Sequence, residues 1–231
     1  MRVRAVSENA VLIEFGQQID EALIPVIAAA MNTLRKQLAS VVIDFIPSYT
    51  TLLCIYDHNQ VDSSWMVDSV QRLVDTLASD AGVVTSGKLV EIPVWYDPCV
   101  GYDLEALADS KAMTIRDLIE LHTGREYQVF AIGFSPGFAF LGRLDERIAT
   151  PRHNTPRKSV ARGSVGIADA QTAVYPLASP GGWNIIGRTP QAMFDASVTD
   201  RQASLLSVGD RVRFVPIDQA EFRAQGGQPD D

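Results

Sequence analysis

Residues 164–187 read SVGIADAQTAVYPLASPGGWNIIG, three brief apolar pieces (SVGIA, TAVYPL and WNIIG) set among residues that turn the chain. Pro176, Pro180 and the Gly181-Gly182 pair interrupt the pieces, and short strands joined by tight turns are the texture of a small β-barrel. The same crowding of Gly, Pro, Ser and Thr begins at Ser135. Downstream, RVRFVPI at 211–217 follows the turn-forming Val208-Gly209-Asp210 and supplies a closing strand. AQGGQPDD at 224–231 is expected to be a frayed tail.

Working back from the barrel, KLVEIPVWY (88–96) and EYQVFAIGF (126–134) read as strands. Between them TIRDLIELHTG (114–124) reads as a helix, with Thr114 and Asp117 in capping-box spacing and Gly124 at its stop. The first part of the chain has a different rhythm. RVRAV and AVLIEF are strand-like, and the segment 20–38 recurs at helical spacing through Ile24, Ile27, Met31, Leu34 and Leu38, with Asp20 as cap and Pro25 in the first turn. SVVIDFIPSYTTLLCIYD gives two strands around Pro47-Ser48, and 61–80 a second helix with Met66, Val70, Leu73, Val74 and Leu77 on one face. The order ββαββα suits an antiparallel sheet with both helices on one face, an α+β layer. DAGVVTSGK at 80–88 is the linker candidate, dividing the chain into 1–84 and 85–231.

Composition narrows the function classes. With 46% hydrophobic and 21% charged residues the 231-residue chain is an ordinary soluble type, and its formal charge of −8 argues against nucleic acid. Arg143, Arg147, Arg152, Arg157 and Arg162 cluster locally, which leaves room for a small anionic ligand. Cys54 and Cys99 are far apart and form no C-x-x-C, so free thiols in a reducing compartment are expected, with Cys54 a small buried hydrophobe in TLLCIY. Neither a signal peptide nor a membrane span is evident, and a cytoplasmic location is the default.

GFSPG at 133–137 matches the G-x-S-x-G of a hydrolase nucleophile elbow. An elbow needs a helix whose first N–H helps build the oxyanion hole, and Pro136 has no N–H to give. The following GFAFLGRL has no helical cap, so Ser135 is not expected to be a nucleophile. His58, His122 and His153 share no metal-binding spacing, and no metal site is expected. His122 is carried as a candidate for chemistry, although an imidazole near a helix C-terminus also serves the dipole. No G-x-x-x-x-G-K-[ST] occurs, so any ATP is expected on a partner. Turn demand does not account for Arg152 and Arg157 on one loop, or for Trp183 beside two glycines. Guanidinium forks grip carboxylates at two points, and glycines beside an aromatic allow close approach of a ligand.

Three stretches, GFSPGFAFLG (133–142), TPRHNTPRKSVARGSVGIADAQTAVYP (150–176) and SPGGWNIIGRTP (179–190), carry a family resemblance that extends over nearly the whole chain. The chain resembles the 5-oxoprolinase B-subunit group, also labelled allophanate hydrolase subunit 1 and including the sporulation-kinase inhibitor KipI. It is similar, too, to one half of the carboxyltransferase region of urea carboxylase. The resemblance implies a ferredoxin-like domain at 1–84 and a cyclophilin-like β-barrel at 85–231. It implies a C subunit of related architecture, an A subunit, and ATP-dependent opening of 5-oxoproline to glutamate, in which phosphorylation would activate the lactam. On this chain the family motifs fall on Pro136, Gly137 and Phe138, on Arg152 and Arg157, on Gln171, Thr172, Tyr175 and Pro176, and on Pro180, Gly181, Gly182 and Trp183. Where relatives commonly read V-P-A-G-S-V-G-I-G-G and T-G-V-Y-P, this chain has Arg162 added and Ala168, Asp169 and Ala173 in place of glycines.

The resulting expectation is a subunit that is inactive alone. Arg152, Arg157 and His122 are its candidates for chemistry, and Gln171, Tyr175, Trp183, Gly181, Gly182 and Phe138 its candidates for substrate contact, at the C-subunit interface. A second expectation is a regulatory module docking on a histidine kinase. A third is a subunit of an allophanate- or urea-type amidohydrolase or carboxylase. A stand-alone amidase is disfavoured, since no nucleophile is paired with a base.

Overall fold

The computed structural model of the chain describes residues 1–79, 87–198 and 203–229. It divides into two units, Met1–Gly87 and Lys88–Asp231. The linker expected at 80–88, and the boundary placed within it, fall almost wholly outside the described residues.

The first unit runs β1 (Arg2–Ser7), β2 (Ala10–Glu14), α1 (Leu23–Gln37), β3 (Val42–Pro47), β4 (Thr51–Tyr56) and α2 (Ser63–Ser79). Its antiparallel sheet has the order β1-β2-β4-β3. Side chains alternate across a strand, so Val11 and Ile13 of β2 and their register partners Cys54 and Leu52 of β4 share one face. That face is buried with Ile27 and Leu34 of α1 and Met66, Val70 and Val74 of α2, so both helices cover the same side. Burial pushes the Cys54 thiol up to about 12, the behaviour of a small core hydrophobe. The ferredoxin-like order is βαββαβ; here β1 precedes β2 instead of following α2. Asp20 does not cap α1. The Ncap is Ala22, and the Asp20 carboxylate accepts from Ala22 N at 3.0 Å, stabilising the turn that leads in.

The second unit contains a closed seven-stranded barrel, the cyclophilin-like β-barrel of the expected α+β class. Its strands are β5 (Leu89–Trp95), β6 (Tyr127–Ile132), β7 (Ala139–Gly142), β9 (Ser164–Ala168), β10 (Gln171–Val174), β12 (Asn184–Arg188) and β13 (Arg211–Ile217). RVRFVPI closes it by pairing parallel to β5 and antiparallel to β6. Two strands, β8 (Arg157–Val160) and β11 (Ser179–Gly181), form a separate ribbon. Ala139, Leu141, Val165, Ile167, Val174, Ile186 and Phe214 fill the main core together with Leu104 and Leu107 of α3 (Leu104–Ser110) and Leu118 of α4 (Ile115–Thr123). Their neighbours along the strands, Phe140, Ala168, Ala173 and Ile185, point the other way. With Phe138, Tyr175, Trp183 and Val160 of the ribbon they make a second buried cluster outside the barrel. The candidate functional site is built on this outer cluster.

Helix α4 has the expected capping box, with Thr114 Oγ1 accepting from Asp117 N at 3.1 Å and Asp117 Oδ2 from Thr114 N at 3.1 Å. Helix α3 has no counterpart in the sequence reading. The tail expected to fray does not do so through Pro229. After α5 (Gln219–Ala224), Gly227 N donates to Phe222 O at 2.9 Å, and buried Arg188 donates through Nη1 to Gln228 O at 3.2 Å and Pro229 O at 2.9 Å.

Candidate functional site

GFSPG is the hairpin between β6 and β7. Gly133 N donates to Phe138 O at 3.1 Å and Phe138 N to Ser135 O at 3.0 Å, so the chain doubles straight back into its antiparallel neighbour. The chain passes from Ser135 directly into strand β7 and not into a helix, so the oxyanion arrangement of an elbow is not formed. Instead the hairpin presents aromatics. Gly137 has φ 80°, and a Cβ there would stand 2.9 Å from Met193 O. Phe134 holds φ 71° and is 67% exposed, its ring edge-on to Phe138 at 5.3 Å.

Behind this rim the rings of Phe138, Tyr175 and Trp183 pack nearly perpendicular, with centroids at 5.3 Å (Phe138–Tyr175) and 5.7 Å (Phe138–Trp183). Edge-to-face packing of this kind fixes ring orientation as well as burying area. The rings leave an open cleft of about 120 Å³, walled by Phe134, Phe138 and Phe140 on the hairpin side and by Gly181, Gly182 and Trp183 opposite. Burial pushes the Tyr175 phenol up, against a hydrogen bond from the Trp183 backbone and the charges of Arg152 and Arg157, which pull it down.

Arg152 also lines this cleft, its guanidinium carbon 5.6 Å from the centre of the Trp183 ring. A two-way backbone bridge between Thr150 and Asp169 positions its loop, Thr150 N to Asp169 O at 3.1 Å and Asp169 N to Thr150 O at 2.7 Å. Asp169 has φ 53°, a conformation that Asp tolerates and that a glycine would adopt freely. Its Oδ2 lies 3.7 Å from Arg152 Nε, an exposed pair and therefore a weak one. The added Arg162 is not at this cleft. It lines a separate polar pocket with Arg188 and Thr189.

The three candidates for chemistry do not converge. Arg157 turns away from the cleft: its Nη2 donates to Asp103 Oδ1 at 2.6 Å and its guanidinium lies over the Tyr102 ring. His122 is fully buried inside the barrel, stacked on Phe214 with ring centres 4.6 Å apart. Thr172 Oγ1 gives its proton to Gly166 O at 3.0 Å and so accepts from His122 Nε2 at 2.9 Å, which leaves Nδ1 to accept from Tyr96 Oη at 2.8 Å. Burial pushes the imidazole down to about 3, so it is neutral and has both nitrogens engaged. Gln171 sits at the start of β10, paired with Gly142 and Ala168, and does not line the cleft. Phe138, Tyr175, Gly181, Gly182, Trp183 and Arg152 are brought together there.

Asp103 and His153, which the sequence reading left without a role, belong to the surroundings of the site. Asp103, at the start of α3, accepts from Arg157 and, at 3.1 Å, from His153 Nε2. A polar residue before LEALADS is a helix-start signal. Its partners are 50 and 54 residues away. Among the described residues no group of His, Cys, Asp and Glu could hold a metal ion, and no helix is long and apolar enough to cross a membrane.

Fold and site together define an α+β chain whose closed mixed barrel carries an open, arginine-rimmed aromatic cleft on its outer face. The family described as carboxyltransferase domain, subdomain C and D, matches residues 1–206, and the chain belongs to that family. It is 38% identical over 233 residues to the 5-oxoprolinase B subunit of Bacillus subtilis (strain 168), covering 96% of this chain and 95% of the relative. Among solved structures, TTHA0988 superposes with a TM-score of 0.78 at 31% identity, covering 94% of this chain but only 40% of that one. The urea carboxylase of Kluyveromyces lactis shares the fold, with a TM-score of 0.69 at 17% identity over 96% of this chain and 22% of that one.

Proposed function

We propose that the chain is the B subunit of a cytoplasmic ATP-dependent 5-oxoprolinase, acting with C and A subunits to hydrolyse 5-oxoproline to L-glutamate. The observation that carries this reading is the cleft. A closed cavity of ~150 Å³ accepts benzene, so an open cleft of about 120 Å³ can take the five-membered ring of the lactam while its carboxylate and oxo groups project from the mouth. Phe138, Phe140 and Trp183 would take its methylene edge, while Arg152 receives its carboxylate as a two-point fork. Gly181 and Gly182 let the ring lie directly against main chain.

The cleft supplies binding and orientation and no nucleophile. Ser135 is in a hairpin, His122 is inside the barrel, and Arg157 is paired with Asp103. A nucleotide is several times larger than this cleft, so the residues here do not fit ATP, which is assigned to a partner. A partner is also supported by the relatives. The B. subtilis protein is a separate chain of matching length, whereas in TTHA0988 the region like this chain is 40% of a longer polypeptide. A segment joined covalently in one relative is a natural candidate for a separate subunit in another.

The test is 5-oxoproline-dependent ATP hydrolysis by the chain co-expressed with its A and C partners. Arg152→Ala should raise KM for 5-oxoproline about 10- to 100-fold, the scale of a lost hydrogen bond to a charged group. An unchanged KM would remove Arg152 and the cleft from the site. Recovery of a histidine kinase, with no carboxylase-like partner, would favour the regulatory alternative.

A further inference from the structure

The structure assigns to Asp103, acting with His153 and Arg157, the task of fixing the glycine wall of the cleft, an inference that rests on reading that cleft as the substrate site. None of the three residues lines the cleft. All of them hold the segment that does. Asp103 is 8% exposed, and its Oδ1 accepts from Arg157 Nη2 at 2.6 Å and from His153 Nε2 at 3.1 Å. Its Oδ2 accepts from Ile185 N at 2.6 Å, and its own N–H donates to Ile185 O at 2.8 Å. Both partners then reach the wall themselves: His153 N donates to Gly182 O at 2.7 Å and Arg157 Nη1 to Trp183 O at 3.4 Å. One buried carboxylate thus ties the start of α3, the 153–157 loop and the segment 182–185 into one unit.

The wall needs outside support for a physical reason. Two successive glycines have the largest backbone freedom of any dipeptide and no side chains to pack, so an unanchored wall would lose entropy each time it met a ligand. Anchoring it beforehand improves affinity without adding a ligand contact. The three residues are positioning residues, and their loss should therefore appear in KM.

Asp103→Asn keeps the shape and turns an acceptor into a donor facing the Arg157 or His153 N–H. In the complete complex it should raise KM for 5-oxoproline about tenfold and leave kcat within about twofold. His153→Ala, at a partly exposed position that keeps the backbone bond to Gly182, should raise KM about threefold and serves if Asp103→Asn does not fold. A purely structural role would instead lower the active fraction, reducing kcat with KM unmoved, and that result overturns the proposal. In the isolated chain, amide exchange across 181–185 should speed up about tenfold in Asp103→Asn while 127–132 stays unchanged. Unchanged exchange across 181–185 also overturns it. Arg152→Ala separates the two readings. If it raises KM and the Asp103 and His153 variants do not, the anchoring role fails and the cleft stands. If exchange responds but Arg152→Ala leaves KM unmoved, the anchor is real, the substrate site lies elsewhere, and the inference falls with that reading.

Discussion

Gly181 and Gly182 stand side by side in the wall, yet a methyl group added to each should have opposite results. Neither has a left-handed φ, so space and not backbone conformation decides. A Cβ on Gly181 would stand 2.2 Å from Tyr175 Oη and 2.8 Å from Cε1 and Cζ, more than 1 Å inside the ordinary contact of ~3.5 Å for the hydroxyl. The Tyr175 ring is 1% exposed and set edge-on to Phe138, so it has no free direction in which to retreat. Overpacking a tight core costs about 1–3 kcal/mol, which lowers the melting temperature of a unit this size by about 3–10 °C. A Cβ on Gly182 would lie 3.4 Å from His153 O and 3.7 Å from Pro156 Cγ, ordinary contacts directed at the loop and away from the rings. Gly182→Ala also restricts the unfolded chain, an effect of about 0.4–1 kcal/mol in favour of folding. Calorimetry on the isolated chain, following the barrel unit's transition, should show Gly181→Ala clearly lowered and Gly182→Ala level or raised. Equal shifts in the two variants, or a Gly181→Ala transition within about 1 °C of wild type, would refute the packing argument.

Two further predictions follow from charge. The His122 imidazole is depressed from 6.5 to about 3 in the folded chain, so the unfolded chain binds the proton first. Its contribution is present above the unfolded value of 6.5 and is lost as pH falls towards 3. Between pH 7 and 5 the wild type should lose about 2 kcal/mol more stability than His122→Gln in urea denaturation, and parallel pH profiles would contradict the burial argument. At the cleft, Asp169 presents a carboxylate to Arg152 at 3.7 Å. Asp169→Asn tolerates the same φ of 53° and should lower KM for 5-oxoproline about two- to fourfold in the assembled enzyme, whereas a raised KM would mean that the carboxylate helps binding.

Periodicity made most of the fold legible. Strand alternation and helical spacing yielded the ββαββα order, and the punctuated run from 135 to 187 yielded the barrel, because each signal is local. His122 carried a signal of its own: it follows Leu118 by four residues, on the buried stripe of α4, which points inward and not to a site. What was not legible is non-local. Arg152 and Arg157 are five residues apart and look like one fork, yet strand β8 begins at Arg157 and directs it to Asp103, while Arg152 remains on the loop above Trp183. The neighbours of Asp103 mark a helix start and nothing of its anchoring contacts, since its partners arrive from 50 or more residues downstream. The tail looked free because Gly, Gln and Pro pack poorly, and it is held through its carbonyls, which every residue has.

Under the proposed function, the exposure of the cleft gives a physical reason for dividing binding and chemistry between chains. The Arg152 side chain is 55% exposed, and at such a position a guanidinium–carboxylate pair is worth little because water competes for both ions. The same pair strengthens severalfold when a covering surface lowers the local dielectric. Phe134, held outward at a left-handed φ on the rim, is apolar surface that a covering partner would bury. Under the proposed function, a rigid wall, a half-exposed arginine and an apolar rim are what a site whose substrate affinity depends on a covering partner would need. On that reading the chain would orient the lactam without turning it over alone, and for that reason the KM measurements belong in the assembled complex.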